Sequence, residues 1–208
     1  MTLVKICGIK NLEEAVCAAR YGTWAIGEVF APSPRQIGVE EAAAINRTLN
    51  GSIMKIGIFV NEKLEEVERT AEICRLDMVQ LHGDEPPEYV QELKLPVIKC
   101  FSLTGPPDPE HFRRWRPYIY LFDTFSTTVR GGSGQTFNWE WLKGLPREIR
   151  FILAGGLNAD NVGRAIRRLQ PLAVDVSSGV EYPRGGKDPL LIEAFIREVK
   201  EADASVPQ

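Results

Sequence analysis

At 208 residues, 44% apolar and 25% charged, the chain has the size and balance of one globular unit with a substantial core, which excludes a disordered or fibrous protein. The formal net charge of −3 argues against nucleic acid as the principal partner, since phosphate-backbone binding shows as a basic excess. Residues 1–9 lack a basic segment followed by an apolar run, and no stretch approaches the roughly 20 apolar residues of a membrane span, so a soluble cytoplasmic protein is expected, free of membrane.

The first predicted strand, residues 3–9, carries Lys5-Ile6-Cys7-Gly8-Ile9, which sets a thiol directly before a glycine turn. Asn11 reads as the cap of a helix whose apolar face is Leu12, Ala15, Val16 and Ala19. A second strand over 24–30 contains Glu28 and runs into a proline-stiffened loop, Ala31-Pro32-Ser33-Pro34-Arg35. The third, 54–60, is followed by Asn61 as a cap or first-turn signal and by Leu64, Val67, Ala71 and Cys74 at helical spacing. The fourth, 77–81, ends at His82. After the fifth, 96–101, the Thr104–Pro109 segment leaves room only for a short helix around 109–115. The sixth, 118–122, is closed by Asp123 and by a glycine-rich loop containing Gly131, Gly132 and Gly134. The seventh, 150–154, is closed by Gly155-Gly156, with Asn158 as the next cap, and the eighth, 172–176, by Ser177-Ser178-Gly179. Residues Ala202–Gln208 are expected to fray.

Strand and helix thus alternate eight times with no break in composition over 1–208, which predicts an α/β protein with one domain, a single (β/α)8 TIM barrel. A doubly wound open sheet would usually show a glycine-rich dinucleotide turn after the first strand, and Cys7-Gly8-Ile9-Lys10-Asn11 is not one.

In such a barrel, reacting groups sit at the C-terminal ends of strands, and phosphate binds near the ends of strands 7 and 8. Gly155, Gly156, Ser178 and Gly179 fall there, where absent side chains let backbone N–H groups approach an anion. By parity Lys5 and Cys7 share one face, so Lys5 is expected inside the barrel, paired with Asp175 of the closing strand. Glu28 shares a face with Trp24, Ile26 and Phe30 and either meets the helix layer, reaching for an edge, or approaches Lys5. Arg35 reads as a carboxylate fork or as a solvated loop arginine, and His82 as a lining or a supporting residue. Beside Asp123, the Gly131, Gly132 and Gly134 run reads as a lid. Cys17, Cys74 and Cys100 are expected only to pack as reduced thiols. With no CxxC spacing and two histidines, no metal cluster is expected.

Taken together, these residues resemble the phosphoribosylanthranilate isomerase family of tryptophan biosynthesis. The resemblance runs through Val4–Ile9, Phe30–Arg35, Gly57–Asn61, Val79–Gly83, Asp123-Thr124, Gly131–Gly134, Phe137–Trp139, Leu153–Leu157 and Val174–Glu181. It implies a cofactor-free Amadori rearrangement of N-(5-phosphoribosyl)anthranilate to 1-(2-carboxyphenylamino)-1-deoxyribulose 5-phosphate. It also implies Cys7 as general base, Asp123 as general acid, Arg35 at the anthranilate carboxylate and the two Gly-rich turns at the phosphate. The rivals are another phosphosugar barrel enzyme, such as a pentose-phosphate epimerase or an indole-forming synthase, and a non-catalytic phosphosugar-binding barrel. Whether the chain is a monomer or a homodimer stays open.

Overall fold

The computed structural model describes residues 1–124, 138–146 and 148–205. Strands β1 (Leu3–Cys7), β2 (Ala25–Val29), β3 (Met54–Phe59), β4 (Met78–Leu81), β5 (Val97–Leu103), β6 (Ile119–Thr124), β7 (Phe151–Leu153) and β8 (Ala173–Val176) form a closed barrel in chain order. All neighbours pair in parallel, with Lys5 of β1 opposite Asp175 of β8 at the closure. Helices α1 (Leu12–Arg20), α2 (Val39–Leu49), α3 (Leu64–Cys74), α4 (Pro87–Glu92) and α5 (Pro109–Arg113) follow the first five strands, and α6 (Ala159–Leu169) and α7 (Pro189–Ser205) follow β7 and β8. The crossover from β6 to β7 contains a 3-10 turn at Trp139–Leu142.

Successive strand side chains point to opposite faces, and here both faces are apolar. Ala25, Ile56, Met78, Ile98, Leu121, Ile152 and Ala173 fill the barrel, whereas Ile6, Ile26, Val79, Leu81, Phe122 and Val174 meet the helices. Burying one such side chain completely, as at Ile26, is worth about 1.5–3 kcal/mol. The two-sided burial explains why the strands read as continuous apolar runs.

Several boundaries depart from expectation for local reasons. β1 stops at Cys7, because Gly8 takes φ +81°, and the Gly8 and Ile9 N–H groups both donate to the Gly27 carbonyl at 2.8 and 3.0 Å. Asn11 and Asn158 cap α1 and α6 as expected, Asn158 within a full capping box. Asn61 does not cap α3, which starts after Lys63; its Oδ1 instead accepts from the Asp84 N–H at 2.7 Å and ties two barrel-mouth loops together. Of the segment Ala202–Gln208 expected to fray, residues 206–208 lie outside the described residues and 202–205 are held: Ala202 is buried within α7, and the Asp203 carboxylate accepts from Thr2 N and Oγ1 at 2.6 and 2.7 Å.

Glu28 faces the helix layer. A Cβ on neighbouring Gly27 would lie 3.0 Å from Cys7 Sγ, so position 27 looks inward and position 28 outward. The Glu28 side chain reaches no edge and is 0% exposed. Its Oε2 accepts from Asn46 Nδ2 at 2.9 Å, while Glu28 Oε1 and Asn46 Oδ1 have no partner among the described residues. Burial pushes the Glu28 pKa up to about 7, against the opposing pull of the Asn46 hydrogen bond and the Lys55 charge.

Candidate active site

The barrel mouth opens into a cavity of about 550 Å³. Cys7, Arg35, His82, Asp123, Gly155, Gly156 and Ser178 all line it, together with Gln80, Asp175 and Ser177. Seven strand or loop positions singled out in the sequence therefore meet in one place. Gly179 lies behind this wall: a Cβ there would stand 2.0 Å from the Leu157 carbonyl oxygen, so only glycine lets the β8 turn pack on the β7 turn. Gly131, Gly132 and Gly134 lie outside the described residues.

Lys5 is fully buried, and its Nζ stands 3.0 Å from Asp175 Oδ1 across the closing strand pair, as parity predicts. Burial alone would lower the Lys5 pKa; the Asp175 and Cys7 partners outweigh it, and the net shift is upward. Cys7 lies two residues further on the same face. Burial pushes its thiol pKa up, Asp175 adds to the rise, and Lys5 and Lys187 pull down without cancelling it. In the free protein the neighbouring cations therefore do not lower the Cys7 pKa below its ordinary value. Lys5 is largely neutralised by Asp175, and the N–H groups beyond Gly8 are spent on Gly27 rather than on sulfur. Gly27 matters for space, since an added Cβ would meet Cys7 Sγ at 3.0 Å and Lys5 Nζ at 3.1 Å.

Arg35 is held by a partner the sequence reading did not assign. Its Nε and Nη2 donate to Glu181 Oε1 and Oε2 at 2.7 and 2.8 Å, and Lys187 Nζ donates to Oε1 at 2.7 Å. Burial works to raise the Glu181 pKa, but the Arg35 hydrogen bonds and the Lys187 charge carry it down to about 2, so the carboxylate stays ionised. A guanidinium has five N–H donors; two are committed to Glu181, which leaves three in a fixed plane. Gly8 makes room for the arginine stem, because a Cβ there would sit 2.5 Å from Arg35 Cδ.

On the opposite wall, His82 Nε2 lies 3.5 Å from Asp123 Oδ2 and 3.3 Å from Cys100 Sγ. Burial would depress the imidazole pKa, but Cys100 and Asp123 raise it well above the ordinary value. Gln80 Nε2 stands 3.2 Å from His82 Nδ1, and Gln80 Oε1 is buried without a partner among the described residues. Cys100 is thus more than a packing residue, contrary to expectation. Parity could have placed it inward with Ile98, but nothing in the spacing joins it to His82 and Asp123.

Along the third wall, Gly155 and Gly156 take φ +87° and +63°, a left-handed pair that glycine adopts without strain. The Gly156 carbonyl accepts from Asn161 Nδ2 at 2.9 Å, which anchors this turn to the start of α6. Ser177 Oγ donates to the Cys7 carbonyl at 3.0 Å, and Lys187 Nζ donates to the Ser177 carbonyl at 3.2 Å. Lys187 gave no signal in the sequence, because it lies in a loop after a short turn rather than at a strand end.

Titratable groups on several strand ends around a cavity at the C-terminal face of a parallel barrel define a (β/α)8-barrel enzyme. The sequence family described as N-(5'-phosphoribosyl)anthranilate (PRA) isomerase matches residues 4–198. A Syntrophomonas wolfei protein named N-(5'-phosphoribosyl)anthranilate isomerase is 59% identical over 201 residues, covering 97% of this chain and 98% of its own. The phosphoribosyl anthranilate isomerase of Thermotoga maritima superposes with a TM-score of 0.90 at 39% identity, over 97% of this chain and 100% of that one. A solved phosphoribosyl anthranilate isomerase in complex with reduced 1-(o-carboxyphenylamino)-1-deoxyribulose 5-phosphate matches with a TM-score of 0.87 at 38% identity, again over 97% and 100% of the two chains. The chain belongs to the phosphoribosylanthranilate isomerase family.

Proposed function

We propose that this protein rearranges N-(5'-phosphoribosyl)anthranilate to 1-(o-carboxyphenylamino)-1-deoxyribulose 5-phosphate, with Cys7 and Asp123 as the acid–base pair. The observation that carries the assignment of residues is that the Cys7 thiol and the Asp123 carboxyl line one cavity from different strands. Asp123 gives a proton to the ribose ring oxygen, the bond from C1 to that oxygen breaks, and the anilino nitrogen lone pair forms the Schiff base. Cys7, as thiolate, takes the proton from C2, and the resulting enamine relaxes to the ketose. Raising the thiol pKa makes the thiolate scarcer but a stronger base once formed.

Arg35, oriented by Glu181, presents its three remaining N–H donors to the anthranilate carboxylate. The sugar phosphate sits at the Gly155-Gly156 turn and Ser178, with Gly179 closing the turn behind it. Among the described residues no helix is long and apolar enough to cross a membrane.

The test is the pair of variants Cys7→Ala and Asp123→Asn. Each is expected to lose nearly all kcat while KM stays within a few-fold. Substantial turnover in either variant removes that residue from the mechanism.

A further inference from the structure

His82, Cys100 and Asp123 come from three successive strands or strand ends, β4, β5 and β6, and offer one nitrogen, one sulfur and one oxygen within 4.8 Å of one another. We propose that these residues form a binding site for a zinc-class divalent metal ion, and that occupation of the site switches off the isomerase by capturing Asp123.

The distances fit the metal. Four-coordinate zinc with bonds of about 2.0–2.1 Å to nitrogen, about 2.3 Å to sulfur and about 2.0–2.2 Å to oxygen sets its ligand atoms about 3.3–3.6 Å apart. The observed nitrogen–sulfur and nitrogen–oxygen separations are 3.3 and 3.5 Å. The third edge must close from at most 4.8 Å, a motion within reach of an aspartate side chain at a strand end. A soft thiolate and an imidazole favour zinc or cobalt over magnesium or calcium. Charge also balances: Zn²⁺ with one thiolate, one carboxylate and a neutral imidazole is net zero, which suits a buried site. Binding displaces to solvent the Cys100 thiol proton together with the proton held by the His82–Asp123 pair, which leaves thiolate, carboxylate and neutral imidazole as the ligands.

Gln80 supplies an independent observation. Its side chain is 1% exposed, and its Oε1 has no partner among the described residues, while its Nε2 faces His82 Nδ1 at 3.2 Å. Turning the amide by 180° gives Oε1 to Nδ1–H as an acceptor. That satisfies the buried oxygen and fixes the tautomer in which Nε2, the atom facing Cys100 and Asp123, carries the free lone pair. Metal-bound histidines are oriented in this way by an acceptor on their other nitrogen. His82 and Asp123 line the mouth cavity and Cys100 lies within the barrel interior, so the fourth coordination position opens toward the cavity.

The test uses Co²⁺ as a spectroscopic probe and Zn²⁺ as the inhibitor, on the whole protein. Co²⁺ is expected to bind once per chain and to give sulfur-to-cobalt charge-transfer absorption with four-coordinate visible bands. The signal should persist in Cys7→Ala and vanish in Cys100→Ala. Zn²⁺ should inhibit the wild type reversibly, with activity restored by EDTA, while Cys100→Ala keeps its basal activity and needs at least about tenfold more zinc. Absence of the thiolate band, a band that survives Cys100→Ala, or equal zinc inhibition of the two proteins each overturns the proposal. The inhibition arm rests on the role given to Asp123 above, but the cobalt arm does not. A protein that binds cobalt through Cys100 yet never isomerises substrate would overturn the functional reading and leave the metal site standing.

Discussion

Replacing Glu28 with glutamine should stabilise the protein at neutral and alkaline pH and leave it unchanged in acid. The carboxyl is fully buried between β2 and α2, with one oxygen bonded to Asn46 and the other without a partner among the described residues. Its pKa of about 7 lies above the ordinary 4.5, so between those values the unfolded chain has released a proton that the folded chain retains. Stability therefore falls as pH rises through that interval, by about 1.4 kcal/mol per pH unit, and the loss from 4.5 to about 7 comes to roughly 3 kcal/mol. Below 4.5 the group is protonated in both states and contributes nothing; above 7 the penalty is complete. Glu28→Gln removes the titration and keeps an acceptor for Asn46 Nδ2. It also brings a donor to the pair, where Asn46 Oδ1 has no partner among the described residues. Urea or thermal unfolding of both proteins at about pH 4.5 and about pH 8 measures the effect. The two should coincide in acid and separate by up to roughly 3 kcal/mol, or about 6–12 °C in Tm, at pH 8. A stability difference that is the same at both pH values would refute the reasoning.

Removing Asp175 tests the barrel's inner ion pair: Asp175→Ala leaves the Lys5 ammonium buried without its partner, and should cost about 3–5 kcal/mol, whereas Lys5→Met with Asp175→Leu should recover most of it. Thermal unfolding decides this, and a loss under about 1 kcal/mol for Asp175→Ala would contradict the pairing energetics. Arg35→Met should raise KM by about 10–100-fold with kcat nearly kept, the magnitude of a lost hydrogen-bonded charge contact. Steady-state kinetics would contradict that role by showing a large fall in kcat at unchanged KM.

The barrel was legible because parallel strands covered on both faces must be apolar on both, so each appeared as a short branched run at its true position. Parity alone placed Lys5 beside Asp175, since both are the lone charges in their strands and the strands close the barrel. The ends of strands 7 and 8 were legible because both need glycine, the first for a left-handed turn at Gly155-Gly156 and the second for the close packing of Gly179 on Leu157. What escaped was side-chain partnership. Glu181, 146 residues away in the loop after β8, holds Arg35 and is itself held by Lys187, and no local pattern encodes such a meeting. Cys100 stands 18 residues from His82, which no metal-ligand spacing would suggest. The upward shift of the Cys7 pKa is not legible in the sequence, which shows the nearby cations but neither the burial that outweighs them nor the diversion of the Gly8 and Ile9 N–H groups to Gly27. Parity groups Glu28 with Trp24, Ile26 and Phe30 but does not say which face they share; the approach of Gly27 to Cys7 fixes it as the outer one.

The most direct measurement supplies N-(5'-phosphoribosyl)anthranilate to the purified protein and follows the decay of its fluorescence, with Cys7→Ala as control. Rapid decay with the wild type and none above background with the variant is the predicted result. A folded wild type that leaves the fluorescence unchanged, or a variant that matches it, would contradict a thiol-based isomerase.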